Sequence, residues 1–177
     1  MQHAAEREIA SSSASFQTEA RVSISVEALV WVALIVVAAL LRFVELGSLP
    51  LTTDEAARAL DASRVAGGDV PETWRGDLAE AATSYLFRIF GEHEFVARAL
   101  PAAAGTALIA VLWFSRAQAG RAGALTAATL VGFSPLFIVY SRSATPFSLG
   151  TLVAVTMVVC LFGYLRSPRT GPAFLLV

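Results

Sequence analysis

The fold is decided by two uncharged segments, AGALTAATLVGFSPLFIVYS at residues 122–141 and SATPFSLGTLVAVTMVVCLFGYL at residues 143–165. They contain 20 and 23 residues. A helix needs about 20 predominantly apolar residues to cross the roughly 30 Å hydrocarbon core of a bilayer. Each segment is therefore predicted to be a membrane-spanning helix.

The composition of the whole chain agrees with these two segments. Hydrophobic residues make up 56% of the sequence and charged residues 15%, and the mean hydropathy is +0.65. These values exclude an ordinary soluble domain and indicate an integral membrane protein. The net charge of −1 gives no sign of a nucleic-acid partner. All 13 basic residues are Arg, and this bias, together with abundant Ala, favours a GC-rich bacterial genome.

Two shorter uncharged runs precede these segments, with 14 residues at 28–41 and 16 at 100–115. Arg42, Arg98 and Arg116 lie at their ends, where long side chains can extend to the head groups. The sequence therefore predicts an all-α, polytopic transmembrane protein. Its parts are a polar leader at 1–21, a membrane domain at 22–177, spans at about 24–44, 96–115, 122–141 and 143–165, and the start of a fifth span at 173–177.

The arginines of the short connections predict the orientation. They fall on one side of the predicted bundle: Arg7, Arg21, Arg116, Arg121, Arg166 and Arg169. The positive-inside rule makes that side cytoplasmic. We therefore predict a multi-pass protein of the inner (plasma) membrane with a cytoplasmic amino terminus and an outer loop at about 45–95. Residues 42–99 carry ten carboxylates and six Arg, so this region is acidic.

The outer loop contains signals for two short helices. Thr52 and Glu55 have the spacing of a capping box, and the Ala-rich residues 54–66 run up to a Gly-Gly pair. Asp77 and Glu80 repeat the arrangement before a segment that ends at Gly91. The second segment mixes aromatic and aliphatic residues with one Arg, as expected of a helix in the membrane interface.

Asp54 and Glu55 are the candidate catalytic residues. They follow the first span closely, at head-group depth, where acidic residues are costly and often functional. The alternative is structural: Glu55 completes the capping box, Asp54 favours the helix dipole, and Asp54 pairs with Arg58 one turn later.

Other reactive residues are few. Cys160 is the single cysteine and lies within an apolar run. The sequence therefore lacks the residues that a disulfide, a zinc site or thiol catalysis would need. His93 lies between Glu92 and Glu94, a weak basis for a divalent metal, and we predict no metal or cofactor. The tryptophans are expected to anchor the chain at the interface, and Trp74, in the outer loop, is also a candidate substrate contact.

Four strings in this order resemble the start of glycosyltransferase family 39 and its relatives in the C-type fold. They are LRFVELG at 41–47, TDEA at 53–56, FGEHEFVARALP at 90–101 and SPLFIVYSR at 134–142. The relatives include protein O-mannosyltransferases and aminoarabinose transferases acting on lipid A. The combination, rather than any one string, carries the resemblance.

The resemblance implies transfer of a sugar, with inversion, from a polyprenyl-phosphate-linked donor to a lipid, glycan or protein acceptor on the outer face. Asp54 matches the Asp that the resemblance implies as general base, and Glu55 matches the residue after it. The leaving phosphate needs cationic donors, for which Arg58 and Arg142 are the candidates. Asp77 is a further candidate substrate contact.

Some features favour other interpretations. Residues 75–78 and 144–148 depart from the strings common in relatives, and the chain is short for the family. We therefore interpret it as an amino-terminal piece, inactive alone. The alternative is a non-catalytic membrane subunit, or a degenerate homologue, that packs through its small residues: Gly105, Gly123, Gly132 and Gly150. A transporter is disfavoured because we expect no buried charge pair in the four spans.

Overall fold

The computed structural model describes residues 26–166 except 49, 73 and 75. This part of the chain is all-helical, as predicted. Its helices are α1 (Val26–Phe43), α2 (Thr53–Ala66), α3 (Leu78–Phe90), α4 (Glu94–Leu112), α5 (Arg116–Phe133), α6 (Pro135–Arg142) and α7 (Phe147–Arg166). The predicted leader at 1–21 and the start of a fifth span at 173–177 lie outside the described residues.

The long helices form an up-and-down bundle. Helices α1, α4 and α7 are each long and apolar enough to cross a membrane. Helices α5 and α6 together form one more candidate span, which is the third along the chain. Helices α2 and α3 lie at one end, here called the loop end, and the α4–α5 connection lies at the other, the far end. Helix α4 is central because it packs against α1, α3, α5, α6 and α7.

The core of the bundle pairs large residues of α1 with small residues of α5. Trp31 is 2% exposed and packs near Ala124 and Ala128, which leave room for its ring. Its centroid lies 5.3 Å from that of Trp113, edge to face. The prediction that Trp31 anchors the chain at the membrane interface is therefore wrong, because its ring fills the space between helices.

The third predicted span is broken rather than continuous. Helix α5 ends at Phe133, α6 begins at Pro135, and their axes differ by 57°. Pro135 has no N–H, so it cannot donate to the carbonyl of Val131 as a helical residue would. A second irregularity lies at Gly120, whose φ of +76° separates the first turn of α5 from the rest. Residues 122–141 are uncharged throughout, so their hydropathy predicts one continuous helix and gives no sign of the break.

Arg42 occupies the break and does not extend to the head groups, so that prediction is wrong. Its side chain is fully buried, and Nη1 donates to the carbonyls of Ala38 at 3.0 Å and Gly132 at 3.3 Å. Nη2 donates to the carbonyl of Val131 at 3.3 Å. The guanidinium thus replaces donors that the interrupted helix lacks, and it ties α1 to α5.

Two of the four glycines that we predicted at helix contacts lie at such contacts. A Cβ on Gly105 would lie 2.6 Å from Cβ of Ser141 and 3.0 Å from Nε of Arg42, so α4 and α6 approach closely only without a side chain there. Gly132 faces Ile109 and Leu34. Within the described chain, a Cβ on Gly123 would meet only its own helix, and one on Gly150 would meet nothing within 4 Å.

The helices of the loop end begin and end where the sequence predicts. Thr52 and Glu55 form the capping box of α2, and Asp77 accepts a hydrogen bond of 2.8 Å from the N–H of Glu80 at the start of α3. Gly91, with φ of +86°, ends α3. The two helices and α4 enclose a small apolar cluster of Ala62, Phe87, Val96 and Ala97. This packing fixes α2 and α3 against the bundle.

The far end carries a charge cluster between α1 and α5. Glu27 accepts hydrogen bonds from Nη1 of Arg116 at 3.3 Å and from Nε of Arg121 at 2.6 Å. The Arg116 guanidinium also lies 3.3 Å from the ring centroid of Trp113. Two of the arginines that predict the cytoplasmic side are therefore partly neutralised by an acidic residue of the first span.

Candidate functional site

One face of α2 lines an open groove at the loop end. Residues spaced by three or four positions share a helix face, and Asp54, Arg58, Asp61 and Arg64 follow that spacing. Glu80 of α3 forms the opposite wall. The groove, here called the loop groove, has a volume of about 470 Å³. It is the polar surface that the two loop helices create by packing together.

Asp54 lies exposed on this groove in the first turn of α2. Its carboxylate makes no hydrogen bond or ion pair with the described part of the chain. The predicted pair with Arg58 does not form, because Arg58 turns toward α3 and lies 3.3 Å from Glu80 and 3.8 Å from Asp77. Asp54 therefore presents a solvated carboxylate to whatever enters the groove.

Glu55, the next residue, is 4% exposed and heavily bonded. Its Oε2 accepts from the N–H of Thr52 at 3.0 Å and from Nη2 of Arg98 at 2.8 Å. Its Oε1 accepts from the N–H of Ala144 at 2.7 Å. One carboxylate therefore joins α2, α4 and the α6–α7 turn.

The environment of Glu55 keeps it ionised. Burial raises the pKa of this carboxyl, but the hydrogen bonds from Arg98 and from the N–H groups of Thr52 and Ala144 outweigh burial and lower the pKa from 4.5 to about 2. Such a group is a poor proton acceptor at neutral pH. Arg98, 6% exposed, lies in the first turns of the candidate span α4, so that span contributes one member of a buried charge pair whose other member is in the loop helix α2.

The remaining candidates fall in different places. Asp77 caps α3 and lies near Arg58, so it adjoins the loop groove. Trp74 is not among the residues that line that groove. Arg142 donates from Nη1 to the carbonyl of Leu41 at 2.8 Å and from Nη2 to that of Glu45 at 3.4 Å. The structure thus brings Asp54, Arg58 and Asp77 together and places Arg142 on another surface.

An apolar cleft lies near the loop groove, along α7. It has a volume of about 390 Å³ and is lined mainly by Leu78, Pro146, Leu149, Val153 and Met157, with Asp77 at one end. A narrower cavity lies between the two. It shares Arg58 and Glu80 with the loop groove, and Ala79, Pro146 and Leu149 with the apolar cleft. The loop groove and the apolar cleft are therefore neighbours along α3, separated by a cavity of about 20 Å³.

Several residues of this site were not singled out from the sequence. Asp61 and Arg64 follow Asp54 by seven and ten positions, and this helical spacing is a signal that places them on its face. Glu80 was recognised only as part of a capping pattern. Nothing local in the sequence indicates that Arg98 binds Glu55, which lies 43 positions earlier. Among the described residues, no three His, Cys, Asp or Glu side chains form a group that could hold a metal ion.

A family model described as dolichyl-phosphate-mannose-protein mannosyltransferase matches residues 78–177, more than half of the 177-residue chain. The chain belongs to this family. The mannosyltransferase match confirms the resemblance and, with the long apolar helices, identifies a membrane glycosyltransferase-type domain. It includes Arg98 and Arg142 and begins after Asp54. Comparisons with curated proteins and with solved structures gave no match.

Proposed function

We propose that the chain belongs to a membrane glycosyltransferase that uses a polyprenyl-phosphate-linked sugar on the extracytoplasmic face. The observation that carries the proposal is that the polar loop groove and the apolar cleft along α7 lie side by side, with residues of both lining the small cavity between them. A lipid-linked sugar has the same division into a polar head and a long apolar chain. The sugar would lie near Asp54 and the polyprenyl chain along Leu149, Val153 and Met157.

Asp54 is the proposed general base. As the acceptor oxygen bonds to the anomeric carbon, Asp54 takes the proton of the acceptor hydroxyl, and the bond from that carbon to the phosphate oxygen breaks. The electron pair leaves with the polyprenyl phosphate, and attack from the opposite side inverts the anomeric centre. The exposure of Asp54 and its lack of a partner in the described chain support this role, because the oxygen that takes the proton must be accessible.

The leaving phosphate needs cationic donors near the groove. Arg58 is one, although the neighbouring carboxylates of Asp77 and Glu80 partly offset its positive charge. Arg64, exposed on the same face of α2, is a second. Glu55 has a positioning role in this proposal, because its bonds to Arg98 and Ala144 fix the first turn of α2 and hence Asp54.

The test compares Asp54→Asn with Asp61→Asn in the complete protein. Both changes remove one negative charge from the same face of the same groove, so Asp61→Asn controls for electrostatics. Transfer of a labelled sugar from a polyprenyl-phosphate donor is measured in membrane vesicles, with donor binding measured in parallel. Asp54→Asn should lower turnover by about 10² or more without loss of donor binding, which is the scale of general-base catalysis.

Asp61→Asn should leave turnover within a few-fold of the unmodified protein. Similar losses in the two variants would show that the groove needs negative charge but that Asp54 is not the base. Normal transfer by Asp54→Asn would remove the proposed mechanism and leave Asp54 as part of a helix start.

A further inference from the structure

A second groove lies at the loop end, on the opposite side of α1 from the core. Four of its lining residues, Val37, Leu40, Leu41 and Val44, are 39–55% exposed. Their spacing of three, four and seven positions places them on one face of α1. Glu45 and Arg142 complete the lining, and the groove has a volume of about 450 Å³. We call it the α1 groove.

Arg142 brings a guanidinium to this apolar groove, whose other charged lining residue is Glu45. Its guanidinium donates two hydrogen bonds, both to carbonyl oxygens at the end of α1, and it forms no ion pair with a carboxylate of the described chain. A guanidinium has five N–H donors, so three remain. The two hydrogen bonds to backbone carbonyls hold the guanidinium beside the groove, where its remaining donors can bind an anion with more than one oxygen.

The α1 groove is distinct from the proposed catalytic site. It shares no lining residue with the loop groove, with the apolar cleft or with the cavity between them. Its position at the carboxyl end of a membrane-spanning helix places Arg142 at the depth of lipid head groups. From Val37 to Val44 the helix rises about 10 Å, enough to support the first part of an acyl chain.

We propose that the α1 groove binds one anionic phospholipid of the surrounding bilayer. The lipid phosphate receives hydrogen bonds from Arg142, and one acyl chain lies along Val37, Leu41 and Val44. The Arg142 guanidinium forms no ion pair in the described chain, with Glu45 or any other carboxylate, so its remaining N–H donors can bind a phosphate. The apolar face below it suits a phosphate that carries a hydrocarbon chain. This proposal does not depend on the proposed sugar transfer.

The experiment measures lipids retained by the full chain. The protein is reconstituted in vesicles of equal parts phosphatidylglycerol and phosphatidylcholine, released, and examined by native mass spectrometry. The unmodified protein should retain one phosphatidylglycerol in preference to phosphatidylcholine. Arg142→Gln should lower that preference about fivefold, the effect of one basic residue at a charged membrane surface. Arg88→Gln, which removes an exposed Arg from the same end of the bundle, should leave it unchanged.

A second variant separates loss of the site from loss of the fold. Val37→Trp keeps Arg142 and fills the groove, so it should also lower retention of phosphatidylglycerol. Equal retention by Arg142→Gln and Arg88→Gln would overturn the proposal. Displacement of phosphatidylglycerol by a small amount of added polyprenyl phosphate would overturn it as well, because the groove would then belong to the donor lipid.

Discussion

Asp54 and Glu55 are adjacent in sequence and have opposite environments. Successive residues of a helix point about 100° apart, so one carboxylate can face solvent while its neighbour faces the bundle. Asp54 lies on the loop groove, whereas Glu55 is bonded to Arg98 and Ala144. The sequence identifies the pair, but only the structure shows that Asp54 is exposed and that Glu55 is buried.

Removing the charge of Glu55 is expected to destabilise the chain strongly. Glu55→Gln leaves Arg98 buried without its counter-charge, a change that typically costs about 3 kcal/mol or more. The free energy of unfolding in detergent measures the effect. Glu92→Gln is the control, because Glu92 accepts an exposed hydrogen bond from Ser63 and removal of its charge should cost less than about 1 kcal/mol.

The lowered pKa of Glu55 also predicts a pH dependence. A carboxyl with a folded-state pKa of about 2, against 4.5 otherwise, stabilises the fold above pH 4.5, and this stability is lost as pH falls toward 2. The unmodified chain should therefore lose thermal stability across that window. Glu55→Gln should show a smaller loss there, and equal slopes in the two proteins would contradict the assignment.

Gly105 is the position where a single methyl group is expected to do most harm. Its Cβ would lie 2.6 Å from Cβ of Ser141, so Gly105→Ala should destabilise the fold by about 1–3 kcal/mol through overpacking. Gly150→Ala is the matched control, since a Cβ there meets nothing within 4 Å of the described chain. Alanine favours helix by up to about 1 kcal/mol over glycine, so this variant should be neutral or stabilised. Unfolding in detergent compares the two, and equal effects would refute the close approach of α4 and α6.

The broken span formed by α5 and α6 depends on partners from α1. Pro135 removes the donor for the carbonyl of Val131, and Arg42 supplies a replacement. Because the proline and the arginine act on the same carbonyl, their substitutions should not be additive.

Arg42→Met is expected to cost about 2 kcal/mol or more, because it leaves buried carbonyls of Val131 and Gly132 without this donor. Adding Pro135→Ala supplies an N–H that can bond to the carbonyl of Val131 and should recover part of the loss. A double-mutant cycle of unfolding free energies measures the coupling. Strictly additive effects would show that Arg42 does not compensate for the proline.

Local signals in the sequence predict much of the elements and less of the site. Uncharged runs locate the spans, and Thr52, Asp77 and Gly91 locate the ends of the loop helices, because caps and turns depend on nearby residues. Hydropathy averages over Pro135, so it misses the break. The burial of Arg42 and Arg98 depends on groups 43 to 90 positions away, which no local pattern reports.

The whole bundle places the loop helices and the α4–α5 connection at opposite ends, and the arginine distribution predicts which end is outside. In a Cys160→Ala background, Val70→Cys and Ala119→Cys introduce exposed thiols at the two ends. An impermeant maleimide applied to intact cells should label only Val70→Cys. Labelling of both or neither would refute the topology, and labelling of Ala119→Cys alone would reverse it.

Arg42 donates hydrogen bonds to the carbonyls of Val131 and Gly132, which lie 89 and 90 positions later in the chain. During synthesis at about 5–20 residues per second, Arg42 emerges roughly 5–20 s before the groups that it binds. When the first helix enters the membrane, only one of the three carbonyls that Arg42 binds in the final fold is therefore present, that of Ala38 in the same helix. The first helix can settle at its final depth only after α5 and α6 arrive, so insertion of the first span is completed by the third.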